Sequence, residues 1–239
     1  MMIPRVQNRE LIVGGLILEF IELVFDFFIH LDKYIGDIIA NYGVWTYLIL
    51  FVVIFAETGF VVTPFLPGDS LIFAVGTFAA TGVIDVWILY ILLIAAAVLG
   101  DTVNYEIGRY IGPRAFSKEI RFLNHENLLK TQRFYERHGG KTIIIARFLP
   151  IIRTFAPFVA GIGSMKYLRF LSFNIIGAFL WVTIALWAGY FFGNLPVVRD
   201  NFTLVIFAII GISAIPAVSA YLKNMWDKRV AKKVESNEG

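Results

Sequence analysis

Four charged residues, Glu57, Asp69, Arg147 and Arg153, lie in stretches of this chain that are otherwise strongly apolar. The two acids belong to AETGFVVTPFLPGDSLIF and the two arginines to ARFLPIIRTFAPF. A charge at the centre of a bilayer costs about 2.5–3.5 kcal/mol on insertion scales, so each needs an opposite charge or a water-filled cavity. If the two stretches meet inside a membrane, their acids and arginines neutralise one another.

Such a centre has two interpretations. In the first, the four charges form salt bridges that only hold the two stretches together. In the second, Arg147 and Arg153 bind the phosphate head group of a substrate, because the planar guanidinium matches phosphate oxygens and stays charged. Glu57 and Asp69 would then pair with the arginines, and a desolvated carboxylate could also carry a proton during transport.

Prolines and small residues interrupt both stretches and predict the tips of two broken helical hairpins. We expect Gly68, Asp69 and Ser70 to cap a half-helix, and Pro157 to lie in the first turn of another. The positive N-terminal ends of these half-helices would favour an anionic group. The predicted tip residues are Pro64, Pro67, Gly68, Ser70, Pro150 and Pro157.

Two further motifs supply secondary candidates. In GDTVNYEIGRYIG, the residues Asp101, Tyr105 and Arg109 recur every four positions along one side of a helix. In NIIGAFLW, Asn174 shares a similar spacing with Trp181, which favours a packing surface over a ligand site. An ordinary packing surface is the alternative for the first motif as well.

Several kinds of chemistry are excluded or disfavoured by residue types. The chain has no cysteine, which excludes disulfides, thiolate catalysis and iron–sulfur ligation. Its three histidines, His30, His125 and His138, lack metal-ligand spacing. No histidine or cysteine lies near the arginines to serve as general base or nucleophile. We therefore expect no metal, no cofactor and no enzyme activity.

Composition places the chain in a membrane. It has 239 residues, of which 58% are hydrophobic and 16% charged, with a formal net charge of +3, and its mean hydropathy is +0.74. A soluble domain of this length could not bury so much apolar surface, and long unbroken apolar runs predict helices rather than a barrel. We expect the first apolar run to be retained, because no small-residue cleavage site follows it.

Segment lengths separate spanning helices from shorter ones. A helix of about 20 residues crosses a bilayer core of about 30 Å. The predicted spans are 11–31, 83–104, 170–193 and 202–222, although an interfacial position of the acidic segment 11–31 is an alternative. The predicted half-length segments are 44–56 with 70–81, and 142–149 with 158–165.

Positive charges give the orientation. Eight lysines and arginines lie in 105–141 and five in 223–239, whereas the connectors 32–43 and 194–201 carry one each. The positive-inside rule then places both termini and 105–141 in the cytoplasm and the two connectors outside. The segment 117–140 is predicted to form an amphipathic surface helix.

We therefore predict an all-α polytopic membrane protein with about four spanning helices. Two oppositely oriented re-entrant hairpins form an inverted repeat, a pattern typical of transporter binding sites. The predicted parts are an N-terminal helix with its connector (1–43), a core with both hairpins (44–193), and a last helix with a charged cytoplasmic tail (194–239).

These motifs resemble the DedA family of membrane proteins, whose domain is also called SNARE-associated or VTT. The resemblance covers about 44–193 and rests on ETGFVVTPFLPGDSLIFAVG, GDTVNYEIGRYIG, ARFLPIIRTFAPFVAG and NIIGAFLW, in that order. The family's membrane acidic positions fall on Glu57 and Asp69, and its two arginines on Arg147 and Arg153. The resemblance implies lipid transport in the bacterial cytoplasmic membrane.

Our functional hypothesis is a flippase for a phosphate-headed lipid, with undecaprenyl phosphate as the substrate that the resemblance favours and proton coupling left open. The alternatives are a passive phospholipid scramblase and a proton-coupled exchanger of small ions or drugs. The expected partners are a membrane phospholipid or polyprenyl phosphate and protons, with no nucleic acid, and a homo-oligomer is left open.

Overall fold

The fold is a helical assembly in every part of the chain that the structure describes. The structure is a computed structural model that describes residues 30–60, 68–117, 140–163 and 165–212, together with 215 and 219. Within these ranges all regular elements are helices, as predicted. They are α1 (Leu31–Tyr42), α2 (Trp45–Gly59), α3 (Gly68–Ala80), α4 (Val86–Ser117), α5 (Lys141–Ala146), α6 (Pro150–Ile162), α7 (Tyr167–Phe192), α8 (Pro196–Asp200) and α9 (Phe202–Ile212).

Two long helices, α4 and α7, form the frame and run antiparallel. Near the start of α4, Trp87 lies 5.5 Å from Trp187, which is near the end of α7 (ring centroids). Further along α4, Tyr105 stacks on Phe170, near the start of α7, at 4.4 Å. Among the described residues, Val86–Gly112 and Tyr167–Phe192 are long and apolar enough to cross a membrane. These two helices agree with two of the four predicted spans.

The shorter helices pack on this frame as two pairs. The α2–α3 pair consists of helices of 15 and 13 residues, and the α5–α6 pair of helices of 6 and 13 residues. At 1.5 Å per residue, even the longest reaches only about 22 Å, short of a bilayer core. Helix α3 packs mainly on α7, and α6 packs mainly on α4. The second half-helix of each pair therefore packs on the long helix that does not directly follow it in the chain. Their re-entrant placement in a membrane stays a prediction.

Glycines permit the close contact between α3 and α7. A Cβ at Gly76 of α3 would overlap the backbone oxygen of Leu186 and would lie 3.1 Å from the backbone nitrogen of Tyr190. On the other side of this contact, a Cβ at Gly189 of α7 would overlap the backbone oxygen of Phe73. The two backbones therefore touch where both helices lack a side chain.

The contact between α6 and α4 has the same register. A Cβ at Gly161 of α6 would overlap the backbone oxygen of Tyr105 and would lie 2.8 Å from the backbone nitrogen of Arg109. A Cβ at Gly108 of α4 would overlap the backbone oxygen of Phe158. In both contacts the half-helix glycine lies against the residues three before and one after the long-helix glycine. The long-helix glycine lies in turn against the residue three before the half-helix glycine. This shared register supports an internal repeat.

Three details differ from the sequence predictions. The connector 32–43 contains the amphipathic helix α1, whose buried residues Leu31, Ile35 and Ile39 recur every four positions along one face. Helix α3 begins at Gly68, so Asp69 and Ser70 belong to its first turn rather than to a preceding cap.

The second half-helix of the later pair was also misplaced. Helix α6 begins at Pro150, and Pro157 lies inside it rather than in its first turn. Proline fits the first turn because the missing N–H has no partner there in any case, and Pro150 takes this position. The predicted segment 142–149 thus corresponds to the shorter helix α5, and the predicted segment 158–165 is replaced by α6, which begins eight residues earlier.

Several predictions fall outside the described residues. They are most of the first span 11–31, the tip prolines Pro64 and Pro67, most of the surface helix 117–140, and the tail after Lys223. Of the predicted last span 202–222, the structure describes the apolar helix α9.

Candidate functional site

Glu57, Asp69 and Arg153 form one ionic cluster, named here the Arg153 cluster. Arg153, in the first turn of α6, donates through Nη1 to Asp69 Oδ1 at 2.8 Å and through Nη2 to Glu57 Oε1. Glu57 is fully buried, the Arg153 side chain is 7% exposed, and the Asp69 side chain is 24% exposed. The sequence predicts that the two acids pair with arginines of the other stretch, and both acids contact Arg153.

Glu57 also fixes the start of α3. Its Oε1 accepts the backbone N–H of Gly68 at 3.1 Å, so a carboxylate from α2 satisfies a donor at the N-terminus of α3. A Cβ at position 68 would overlap this carboxylate, so the glycine lets Glu57 lie directly against the start of α3. One acidic side chain thus joins both halves of the first pair to Arg153.

Arg147 belongs to a second cluster with Asp101 and Asn174, named here the Arg147 cluster. Its Nη2 donates to Asp101 Oδ2 on α4 and, at 2.6 Å, to Asn174 Oδ1 on α7. Asn174 Nδ2 donates in turn to the backbone oxygen of Val98 at 3.0 Å. The expectation that Arg147 pairs with Glu57 or Asp69 is therefore corrected, because Arg147 follows α5 at the face where α4 presents its own carboxylate.

Trp181 on α7 connects the two clusters. Its ring centroid lies 5.0 Å from Cζ of Arg153 and 5.6 Å from Cζ of Arg147, within the range of cation–π attraction. Its Nε1–H donates to Asp69 Oδ1 at 2.6 Å. The sequence predicts a packing surface for Trp181 and Asn174, whereas the structure gives both of them polar contacts to the charged residues. The spacing of Asn174 and Trp181 along one helix is the sequence signal that they act together, but spacing alone does not identify the polar groups that they contact.

Asn104 on α4 ties both short-helix pairs to the frame. Its Nδ2 donates to the backbone oxygen of Thr58 at 3.2 Å and to that of Thr154 at 2.7 Å. Thr58 lies near the end of α2 and Thr154 in the first turn of α6. Asn104 was seen in the sequence motif but was not among the site candidates.

The remaining candidates lie elsewhere. Tyr105 is buried and donates its hydroxyl hydrogen to the backbone oxygen of Met165. Arg109 is 59% exposed and lies 3.6 Å from Glu106. Neither contacts the two clusters through its side chain, so we assign Tyr105 to packing and Arg109 to the surface.

The two clusters lie at mid-length of the frame and carry an excess of acid. Asp101 is near the middle of Val86–Gly112 and Trp181 near the middle of Tyr167–Phe192. Three carboxylates and two guanidiniums sum to a formal charge of −1. Glu57 Oε2 and the Nε atoms of Arg147 and Arg153 are buried with no hydrogen-bond partner in the structure. The centre therefore retains capacity for a proton and for an additional acceptor.

Comparison with known proteins identifies the family of this chain. The sequence model of the VTT domain matches residues 66–191, which hold most of both clusters. The chain is 49% identical over 210 residues to Protein DedA of Escherichia coli (strain K12), covering 87% of this chain and 96% of that protein. It belongs to the DedA family. The resemblance inferred from the motifs is confirmed.

Other DedA-like relatives are also membrane proteins. An uncharacterised membrane protein of Mycobacterium leprae is 46% identical over 170 residues, covering 71% of this chain and 76% of the relative. Inner membrane protein YqjA of Escherichia coli (strain K12) is 36% identical over 152 residues, covering 63% of this chain and 69% of the relative. This DedA-family chain is accordingly an integral membrane protein. No solved structure matches it.

Proposed function

We propose that this protein moves a lipid with a phosphate head group across the cytoplasmic membrane, with undecaprenyl phosphate as its substrate. The observation that carries the proposal is Arg153, a buried arginine at the N-terminal turn of a half-helix and at mid-length of the two long helices. Arginine forks and helix N-termini both favour phosphate. We propose transport without any covalent step.

In this proposal the phosphate competes with Asp69 for Arg153. Asp69 is the most exposed member of its cluster, so it is the partner that a substrate can displace. Glu57 is fully buried and also holds the start of α3, so it stays with Arg153. A phosphate entering a centre that already carries one excess negative charge adds repulsion between like charges. We infer that a proton enters with the anionic lipid and neutralises a carboxylate.

The transport cycle would use the two short-helix pairs in turn. In the predicted orientation the two pairs enter from opposite membrane faces, so each would open the same centre to one leaflet. The shared glycine register of the two helix contacts supports this view, because equivalent contacts can rearrange in equivalent ways.

The test follows labelled undecaprenyl phosphate across vesicles that contain the purified protein. We expect Arg153→Lys to lower the transport rate, because lysine keeps the charge but not the fork, and an imposed pH gradient to change the rate in the wild type. Arg169→Ala, at an exposed arginine of α7, is the matched control and should transport normally.

A paired variant separates transport from simple structural support. Glu57→Gln with Arg153→Gln removes the two most buried charges of the Arg153 cluster together, so neither is left to face the loss of the other. Asp69 keeps its charge, but its side chain is 24% exposed and it still accepts the Trp181 N–H. If this folded double variant transports as the wild type does, the ionic cluster is only structural and the proposal is wrong. Movement of bulk phospholipids that ignores both the variants and the pH gradient would instead identify a passive scramblase.

A further inference from the structure

An apolar groove extends from the charge centre along α7. It has a volume of about 450 Å³, and Asp69 and Trp181 lie at its polar end. Its other walls are almost entirely hydrocarbon and include Ile184, Ala185 and Ala188 of α7 and Val205 and Ile209 of α9. The groove therefore has a charged end at Asp69 and is apolar along the rest of its length.

The groove leads outward from the middle of the molecule. Ala188 follows Trp181 by seven positions, a distance of about 10 Å along α7. Two residues of its lining, Ile184 and Ile212, are 59% and 66% exposed, so the groove opens on the outer surface of the helices. In an integral membrane protein this surface faces the hydrocarbon of the bilayer.

The polar end provides access to a buried cation. Asp69 lines the groove and is hydrogen-bonded both to Arg153 and to Trp181. Displacing the Asp69 carboxylate would expose the Arg153 guanidinium to the groove. The shape and charge therefore match an amphiphile with an anionic head and a single hydrocarbon chain, and an entirely polar anion would leave the apolar walls unused.

We propose that this groove holds the first part of the lipid's hydrocarbon chain while its phosphate is at Arg153. The inference rests on the proposed transport function and adds the binding site of the chain. A head group at mid-depth cannot keep its chain in the usual position of a bilayer lipid. The groove gives that chain a continuous apolar path from the centre to the membrane.

The test maps where a phosphate amphiphile lies. Hexadecyl phosphate with a diazirine on its chain is photolysed with the wild-type protein in phosphatidylcholine vesicles, and the labelled residues are identified by mass spectrometry. We expect labelling at Ile184 and Ile209 that unlabelled hexadecyl phosphate abolishes and inorganic phosphate does not. Ile91, an exposed residue of α4 outside the groove, provides the background of bilayer contact.

Variants test the groove without altering the ionic centre. Ala188→Trp and, separately, Ile209→Trp fill the groove, so the saturable labelling should fall to the background in each. Ile176→Trp, at an exposed position of α7 outside the groove, should keep it. Size-exclusion profiles identify any variant that fails to fold, and the wild-type map stands without the variants.

The outcomes separate the two proposals. Groove labelling that is not saturable, or that equals the labelling of Ile91, overturns the chain site even if lipid transport is observed. Saturable groove labelling by a wild-type protein that moves no undecaprenyl phosphate supports the chain site and overturns the proposed transport function.

Discussion

The charged residues of the centre depend on exact partners because they are buried. Arg153 has two carboxylates, while Arg147 has one carboxylate and an amide. Removing one member of a buried ion pair costs about 3–5 kcal/mol, since the other charge is left uncompensated. Trp181 supplies a further contact to each arginine and so connects the Arg153 cluster with the Arg147 cluster.

The pairing of Arg147 is tested by a double-mutant cycle on thermal stability in detergent. Asp101→Asn and Arg147→Gln should each destabilise strongly, and their combination should cost much less than the sum, with a coupling energy of about 0.5–3 kcal/mol. Glu57→Gln with Arg147→Gln is the matched cycle and should give a smaller coupling. A larger coupling for Glu57 than for Asp101 would contradict the pairing described here.

At the scale of the elements, backbone contact between helices sets the position of the charges. Asp69 and Arg153 are both in the first turns of half-helices, and each half-helix is held by glycines against a long helix. Small residues allow such contacts between membrane helices, where packing rather than the hydrophobic effect drives association. The two contacts therefore determine how closely Asp69 and Arg153 approach.

Alanine at these glycines tests the contacts. Gly76→Ala and Gly161→Ala should each lower thermal stability by about 1–3 kcal/mol, because the added Cβ overlaps backbone that cannot move aside. Gly211→Ala in α9 is the control, since a Cβ there meets nothing within 4 Å. Because alanine has a higher helix propensity than glycine, this control substitution should leave the stability unchanged or raise it by up to about 1 kcal/mol. Equal effects at all three positions would argue against the close contacts.

At the scale of the whole molecule, the proposed mechanism requires the two short-helix pairs to enter from opposite membrane faces. The excess of positive charge in 105–141 relative to 32–43 and 194–201 predicts this orientation. The antiparallel frame of α4 and α7 is compatible with it, because the start of α4 lies beside the end of α7, where Trp87 and Tyr90 contact Trp187.

Orientation is directly measurable because the chain has no cysteine, so each introduced thiol is unique. Val44→Cys and Val197→Cys, both at exposed positions, should react with a membrane-impermeant maleimide added outside intact spheroplasts. Lys141→Cys should react only after the membrane is permeabilised. Labelling of all three from one side would rule out opposite entry of the two pairs.

The class of protein, the presence of two interrupted pairs of short segments and the residues that carry buried charge follow from the sequence alone. These follow from apolar run length and from the cost of a charge in hydrocarbon, which are local properties. Composition also predicted that the acids need arginines. It could not predict which acid meets which arginine, because helix rotation and packing decide this.

Helix packing assigned Asp101 to Arg147 and placed Trp181 between the two arginines. The folded chain also has the start of the second half-helix at Pro150. Asp101 and Arg147 lie 46 residues apart in the chain, and they meet where α5 packs on α7 and α6 packs on α4. Pro150 and Pro157 each suit a helix start by residue type alone, and the packing of α6 on α4 selected the first. The sequence thus shows that the buried charges need partners of opposite charge. The packing of the helices decides which partner each of them has.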